Sequence, residues 1–108
     1  MAYRGEALRH LREERKIPLR HIADQTRINL WYLSGIEEER FDRFPGAFYF
    51  KSFTREYARV LGLDPMEVLR DLEPAYLEWS LAREERNLRG TLPERGRFIA
   101  RLRSWGTS

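Results

Sequence analysis

Every apolar pattern in this sequence repeats with a helical period, and proline and glycine cut that pattern into short lengths. No stretch alternates apolar and polar residues as a strand would, and there is no Asn-Gly or Asp-Gly hairpin turn. The chain is therefore confined to an all-α fold. A first helix is predicted near Gly5 to Lys16, with Ala7, Leu8 and Leu11 on one face, and Ile17-Pro18 breaks it because proline disfavours helix in the residue before it. A short second helix follows near Leu19 to Gln25, burying Leu19, Ile22 and Ala23. Thr26-Arg27-Ile28 turns the chain into a third helix over about Asn29 to Glu38, with Asn29 as N-cap. After a loop at Phe41 to Gly46, a long fourth helix covers about Ala47 to Leu61, ended by Gly62. Asp64-Pro65-Met66-Glu67 then combines a cap residue, a first-turn proline and an acid three residues after the cap, and starts the fifth helix.

Length and charge narrow the class further. With 108 residues the chain is expected to form one compact domain, placed at residues 1–72, followed by a charged helical tail at 73–108. The tail holds a helical pattern from Pro74 to Arg89, with Leu77, Leu81 and Leu88 on one side. The absence of cysteine excludes a disulfide scaffold, a thiolate zinc site and a cysteine nucleophile. The longest run without a charge is the nine residues Ile28 to Ile36, whereas a bilayer-spanning helix needs roughly 20 apolar residues. With no signal-peptide pattern at its start, the chain is expected on the cytosolic side of the membrane. The net charge of +3 is unevenly spread: +2 over residues 1–18, −1 over 19–44, zero over 45–72 and +2 over 73–108.

A long first helix followed by two short helices and a tight turn is a helix-turn-helix arrangement. Here the residues become distinctive. Gly5-Glu6-Ala7-Leu8 opens the first helix, Ile22-Ala23 and Thr26-Arg27-Ile28 flank the turn, and Tyr32-Leu33 and Ile36-Glu37-Glu38 form the third helix. Arg40-Phe41-Asp42-Arg43-Phe44-Pro45-Gly46 follows, and Phe53 to Leu61 leads into Gly62-Leu63-Asp64-Pro65. Over residues 4 to 69 this pattern resembles the N-terminal cytoplasmic helix-turn-helix domain of the RodZ-type bacterial cell-shape proteins. The loop Phe-Asp-Arg-Phe-Pro-Gly and the aromatic helix after it are its specific parts. The resemblance implies a five-helix, lambda-repressor-like bundle and a non-enzymatic adaptor. Such an adaptor binds the actin homologue MreB and links it to the inner membrane through one transmembrane helix; none is found up to Ser108, so either it follows Ser108 or this member is soluble. It also implies that an aromatic pair early in the fourth helix, Tyr49 and Phe53 by position, contacts the filament. The sequence departs from the family at Pro18 and Arg20, which remove the usual cap of the second helix and put a positive charge at its positive dipole end.

The commonest task of a helix-turn-helix is reading DNA. Phosphate contacts need Lys or Arg on the docking face, and base edges are read by Arg, Asn or Gln. The third helix offers Asn29, Leu30, Trp31 and Ser34, then runs into Glu37-Glu38-Glu39, which would repel the phosphates. A DNA reader would have Asn29 and Arg27 to work with, and DNA is not the expected partner. The fourth helix points to protein instead. Five of the ten residues from Phe48 to Tyr57 are aromatic. Phe50, Tyr57 and Leu61 fall in one stripe, flanked by Ala58; Tyr49, Phe53 and Val60 fall in a second, rotated by roughly 80°. One stripe suffices to hold the helix on the bundle. The second is either a partly exposed docking patch or more core. Leu30 and Trp31 would lie on the exposed side of the third helix, against a partner or under the tail. In the tail, Arg95, Arg97, Arg101 and Arg103 alternate with Phe98, Ile99, Leu102 and Trp105, and no acid follows Arg95. That composition suits a segment beside an anionic membrane surface, or a solvated end packed on the domain. No catalytic, metal or cofactor pattern stands out: His10 and His21 lack ligand-spaced partners, and there is no glycine-rich phosphate loop.

Overall fold

The computed structural model describes residues 2–90. Residues up to Tyr76 form one compact unit and Leu77 onward belongs to a second. Among the described residues five α-helices run Gly5–Glu14 (α1), Leu19–Thr26 (α2), Leu30–Glu38 (α3), Ala47–Leu61 (α4) and Pro65–Gly90 (α5), with a 3-10 turn at Phe41–Arg43. No strand occurs among the described residues, so the all-α expectation holds.

Local chemistry sets the boundaries. Lys16 turns left-handed (φ 57°) after α1, and the Ile17 N–H closes on the Arg12 carbonyl at 3.1 Å. Helix α1 thus ends at Glu14, before the predicted Lys16. Helix α2 begins at Leu19 although Pro18 offers no side-chain cap; the extended Pro18 (φ −67°, ψ 146°) is compatible with any helix start. Arg27 closes α2 at φ 62°. Asn29 caps α3 as predicted, its Oδ1 accepting the Trp31 N–H at 2.8 Å. Asp64 caps α5 in the same way through the Met66 N–H at 2.9 Å. Gly62 ends α4 at φ 78°, where a side chain would be strained.

The core joins the predicted faces of α1 to α4 to a face of α5 not expected from the sequence, and Ala7, Leu11, Leu19 and Ala23 of the predicted faces are only half-buried. Leu8 of α1, Ile22 of α2, Leu33 and Ile36 of α3, Phe50 and Tyr57 of α4, and Val68 and Leu72 of α5 are fully buried. Each such side chain contributes about 1.5–3 kcal/mol of transfer free energy. Helix α3 lies at the centre, packed on α1, α2 and α4. The first turn of α1 rests directly on the last turn of α3. A β-carbon on Gly5 would lie 2.4 Å from the Glu37 carbonyl oxygen, so only glycine allows this approach.

Two expectations change. The helices predicted on either side of Pro74 are one helix, since α5 runs through that proline. Pro74 is exposed while Leu72 and Tyr76 flanking it are buried; the apolar anchoring on both sides outweighs the lost hydrogen bond, and the freed Arg70 carbonyl lies on an exposed part of the helix. The second change is Glu37-Glu38-Glu39, which is not a bare acidic face. Glu39 accepts Arg4 Nε and Nη2 at 2.9 and 2.6 Å and the Gly5 N–H at 2.9 Å. The Arg4 hydrogen bonds hold its carboxyl below the ordinary glutamate range. Glu38 lies 3.7 Å from Arg43.

Glu37 is buried. Its carboxylate takes Arg12 Nε at 2.6 Å, Arg12 Nη2 at 3.1 Å and the Tyr57 hydroxyl at 2.5 Å. Arg12 also donates to the Ile17 carbonyl at 2.9 Å. One ionic network therefore joins α1, α3 and α4 and fixes α4 about its own axis. Burial, and after it the Glu37 charge, push the Tyr57 phenol well above the ordinary tyrosine value. The folded chain thus holds this proton more tightly than the unfolded chain. Its contribution is complete below about pH 10 and is lost as pH rises above that value. The melting temperature is expected to fall between pH 9 and 11, and Tyr57→Phe should flatten that limb while lowering stability at pH 7. An equally steep limb in Tyr57→Phe would refute the assignment.

Candidate protein-docking site

The loop before α4 places Phe44 in the core, and α4 begins at Ala47 after an extended Gly46. From there the aromatic residues separate. Phe50 is buried: it stacks on Tyr76 at 4.5 Å and meets Phe41 and Phe44 edge-on at 5.5 Å each. Phe53 is half-buried, with its ring centroid 5.0 Å from Tyr32 of α3 and 6.2 Å from Phe44. Tyr49 is 46% exposed and rests on Phe53 at 6.0 Å. Phe48 is 71% exposed and stands edge-on to Tyr49 at 5.4 Å. The rings form a continuous path from the core (Phe50, Phe44) through Phe53 to a solvent-facing pair. Aromatic rings held this way present large apolar area at little further entropic cost on binding.

The predicted site residues are thus brought together in part. Tyr49 and Phe53 touch. Val60 is half-buried two turns further along α4. On α3, Leu30 is half-buried, while Trp31 is 55% exposed. Trp31 has a partner of its own: the Arg43 guanidinium lies 4.0 Å over its ring, and Arg43 Nη1 donates to the Trp31 carbonyl at 3.1 Å and to Ser34 Oγ at 2.8 Å. The residues a DNA reader would use have local duties. Asn29 caps α3, and Arg27 closes α2 in a left-handed conformation. The exposed positions of α3 itself are Trp31 and Glu38, with no Lys or Arg on the helix. Arg95, Arg97, Arg101, Arg103 and Trp105 lie outside the described residues.

Two features were not expected from the sequence. Phe48 falls on neither α4 stripe, which is the reason it is exposed. Glu37 sits one turn after Leu33 on the buried face, and Arg12 one turn after Leu8; charges at core-facing positions were the available sign of the buried network. Among the described residues no group of acids and histidines is arranged to hold a metal ion, and no helix is long and apolar enough to cross a membrane.

A family model described as a helix-turn-helix domain matches residues 7–68, more than half the chain. The cytoskeleton protein RodZ of Streptococcus pneumoniae is 37% identical over 65 residues, covering 60% of this chain and 24% of that protein. This chain belongs to the helix-turn-helix family, and its domain is of the RodZ type. The RodZ-type domain is also similar to a Bacillus subtilis membrane protein, YmfM, described as uncharacterised, with 37% identity over 46 residues, 43% of this chain and 16% of that one. The chain spans about a quarter or less of the length of these curated relatives. No solved structure matches it. The matched span covers α1 to the first turn of α5 and so contains the whole aromatic path on α4.

Proposed function

We propose that this RodZ-type domain is a non-enzymatic, cytoskeleton-associated adaptor that binds an MreB-like actin filament through the exposed start of α4. The observation that carries the reading is the half-exposed Tyr49, propped on Phe53 and through it on the core. An exposed apolar cluster on an otherwise charged surface marks an interface, and aromatic anchors dominate interface energetics. Tyr49 and Phe53 are the principal contacts; Val60, Leu30 and Trp31 lie at the margin. The chain acts in the cytoplasm at the inner face of the cell membrane, and the basic tail with Arg95, Arg97, Arg101, Arg103 and Trp105 lies against anionic lipid.

The chain should co-pellet saturably with purified MreB-type filaments and carry them onto anionic vesicles. Tyr49→Ala should weaken pelleting by about tenfold or more while moving the melting temperature by a few degrees at most, because Tyr49 is half in solvent. Phe53→Ala should weaken pelleting as well, but its packing on Tyr32 and Phe44 makes it a stability mutation of about 1–3 kcal/mol too. Removing residues 95–108 should lose the vesicles and keep the filament. Wild-type pelleting that is insensitive to Tyr49→Ala would refute the α4 site.

A further inference from the structure

Resting on that reading, we infer that the docking surface extends beyond the Tyr49–Phe53 pair along a second line on α4, Phe48–Ser52–Arg55. We further infer that its partner surface is an apolar pocket with a carboxylate about two helical turns from it. Phe48, Ser52 and Arg55 are spaced by four and three residues and so share one helix face. Phe48 is the most exposed large apolar side chain among the described residues, at 71%. It stands edge-on to Tyr49, and Tyr49 is itself backed by Phe53. Such a ring is a preorganised knob for a pocket.

The charges around the patch differ in how they are satisfied. Lys51 lies 3.5 Å from Glu73, and Arg59 donates to Glu56 at 2.7 Å. Arg55 is exposed and makes no ion pair among the described residues. It sits seven residues after Phe48, about 10 Å along the axis. An apolar anchor and one unneutralised guanidinium at fixed separation are met by a hydrophobic hole and an acidic side chain at the same separation. Charge complementarity of this kind sets partner choice and association rate. A protein fits better than a lipid surface, because ion pairs neutralise the other charges at the rim and leave no cluster of cations to hold anionic headgroups.

The test is co-pelleting of the full chain with purified MreB-type filaments at two salt concentrations, for wild type, Phe48→Ala, Arg55→Gln, Arg55→Glu and Tyr49→Ala, with thermal melts alongside. Phe48→Ala should weaken binding by about tenfold with an unchanged melt. Arg55→Glu should weaken it more than Arg55→Gln, and the salt dependence of the wild type should diminish in Arg55→Gln. If Phe48→Ala and both Arg55 variants bind like wild type while Tyr49→Ala does not, the extension is wrong and the α4 reading stands. If Phe48→Ala leaves pelleting intact but abolishes binding to anionic vesicles, the second line is a lipid contact and the inference is overturned. If the wild-type chain does not pellet, both readings fall.

Discussion

Replacing Arg12 with methionine is expected to remove about 3–5 kcal/mol of stability, a large share of the 5–15 kcal/mol that a domain holds in all. The substitution keeps the side-chain stem against the core and deletes the charge. Glu37, with 4% of its side chain exposed, would then keep only the Tyr57 hydroxyl and face the interior as an uncompensated carboxylate. A surface ion pair such as Arg9–Glu13, at 3.7 Å with both partners more than half exposed, contributes at most about 1 kcal/mol. The two pairs differ in burial. The buried network also predicts strong non-additivity. The triple variant Arg12→Met, Glu37→Leu, Tyr57→Phe replaces the whole set with apolar groups of similar size and should melt well above Arg12→Met alone, despite carrying two more changes. Urea unfolding of the two variants measures this directly. A triple variant less stable than the single one would show that the network contributes net stability and not merely a penalty when broken.

Gly5→Ala is expected to destabilise the domain by roughly 3 kcal/mol, at the upper end of overpacking costs. The sign is the informative part. Within a helix this change ordinarily stabilises by about 0.5–1 kcal/mol. Here the new methyl would meet the Glu37 carbonyl oxygen at 2.4 Å, the Ile36 carbonyl oxygen at 2.7 Å and the Glu37 carbonyl carbon at 2.8 Å. These are backbone atoms of α3 and have no rotamer with which to yield. Relief requires α1 to lift from α3, which would also pull Arg12 from Glu37 and Arg4 from Glu39. Gly46 offers a control, since a β-carbon there would meet nothing within 4 Å. Gly46→Ala should leave the denaturation midpoint near wild type while Gly5→Ala lowers it. Equal midpoints would contradict the close approach of the two helices.

The helical architecture was readable because its signals are local. The Asn29 and Asp64 caps, Gly62 at φ 78° and the period of Leu33, Ile36, Phe50, Tyr57 and Leu61 each act within a few residues, and each is found where the pattern put it. Helix α5 was less legible because Pro74 carries a strong local veto, which burial of Leu72 and Tyr76 overrides from outside the segment. Glu37-Glu38-Glu39 shows the same limit for charge. In sequence it is an acidic run; in the fold Arg12 and Arg4 come from distant parts of the chain to Glu37 and Glu39, and Arg43 from the following loop to Glu38. The two aromatic stripes of α4 were resolved by angle, and Phe50 and Tyr57 did prove to be core. Angle alone did not show that Phe53 is shared between surface and core, because that depends on Tyr32 arriving from α3.

We propose the exposed aromatic start of α4 as a filament-docking surface on an intact domain. It is tested most directly by the affinity of the wild-type chain and of Tyr49→Ala for purified MreB-type filaments in a pelleting titration, with melting curves on the same samples. Saturable wild-type binding is expected, with a loss of about tenfold or more in Tyr49→Ala and melts that nearly coincide. Equal affinities for the two proteins, or a loss of binding that tracks a loss of folding, would contradict it.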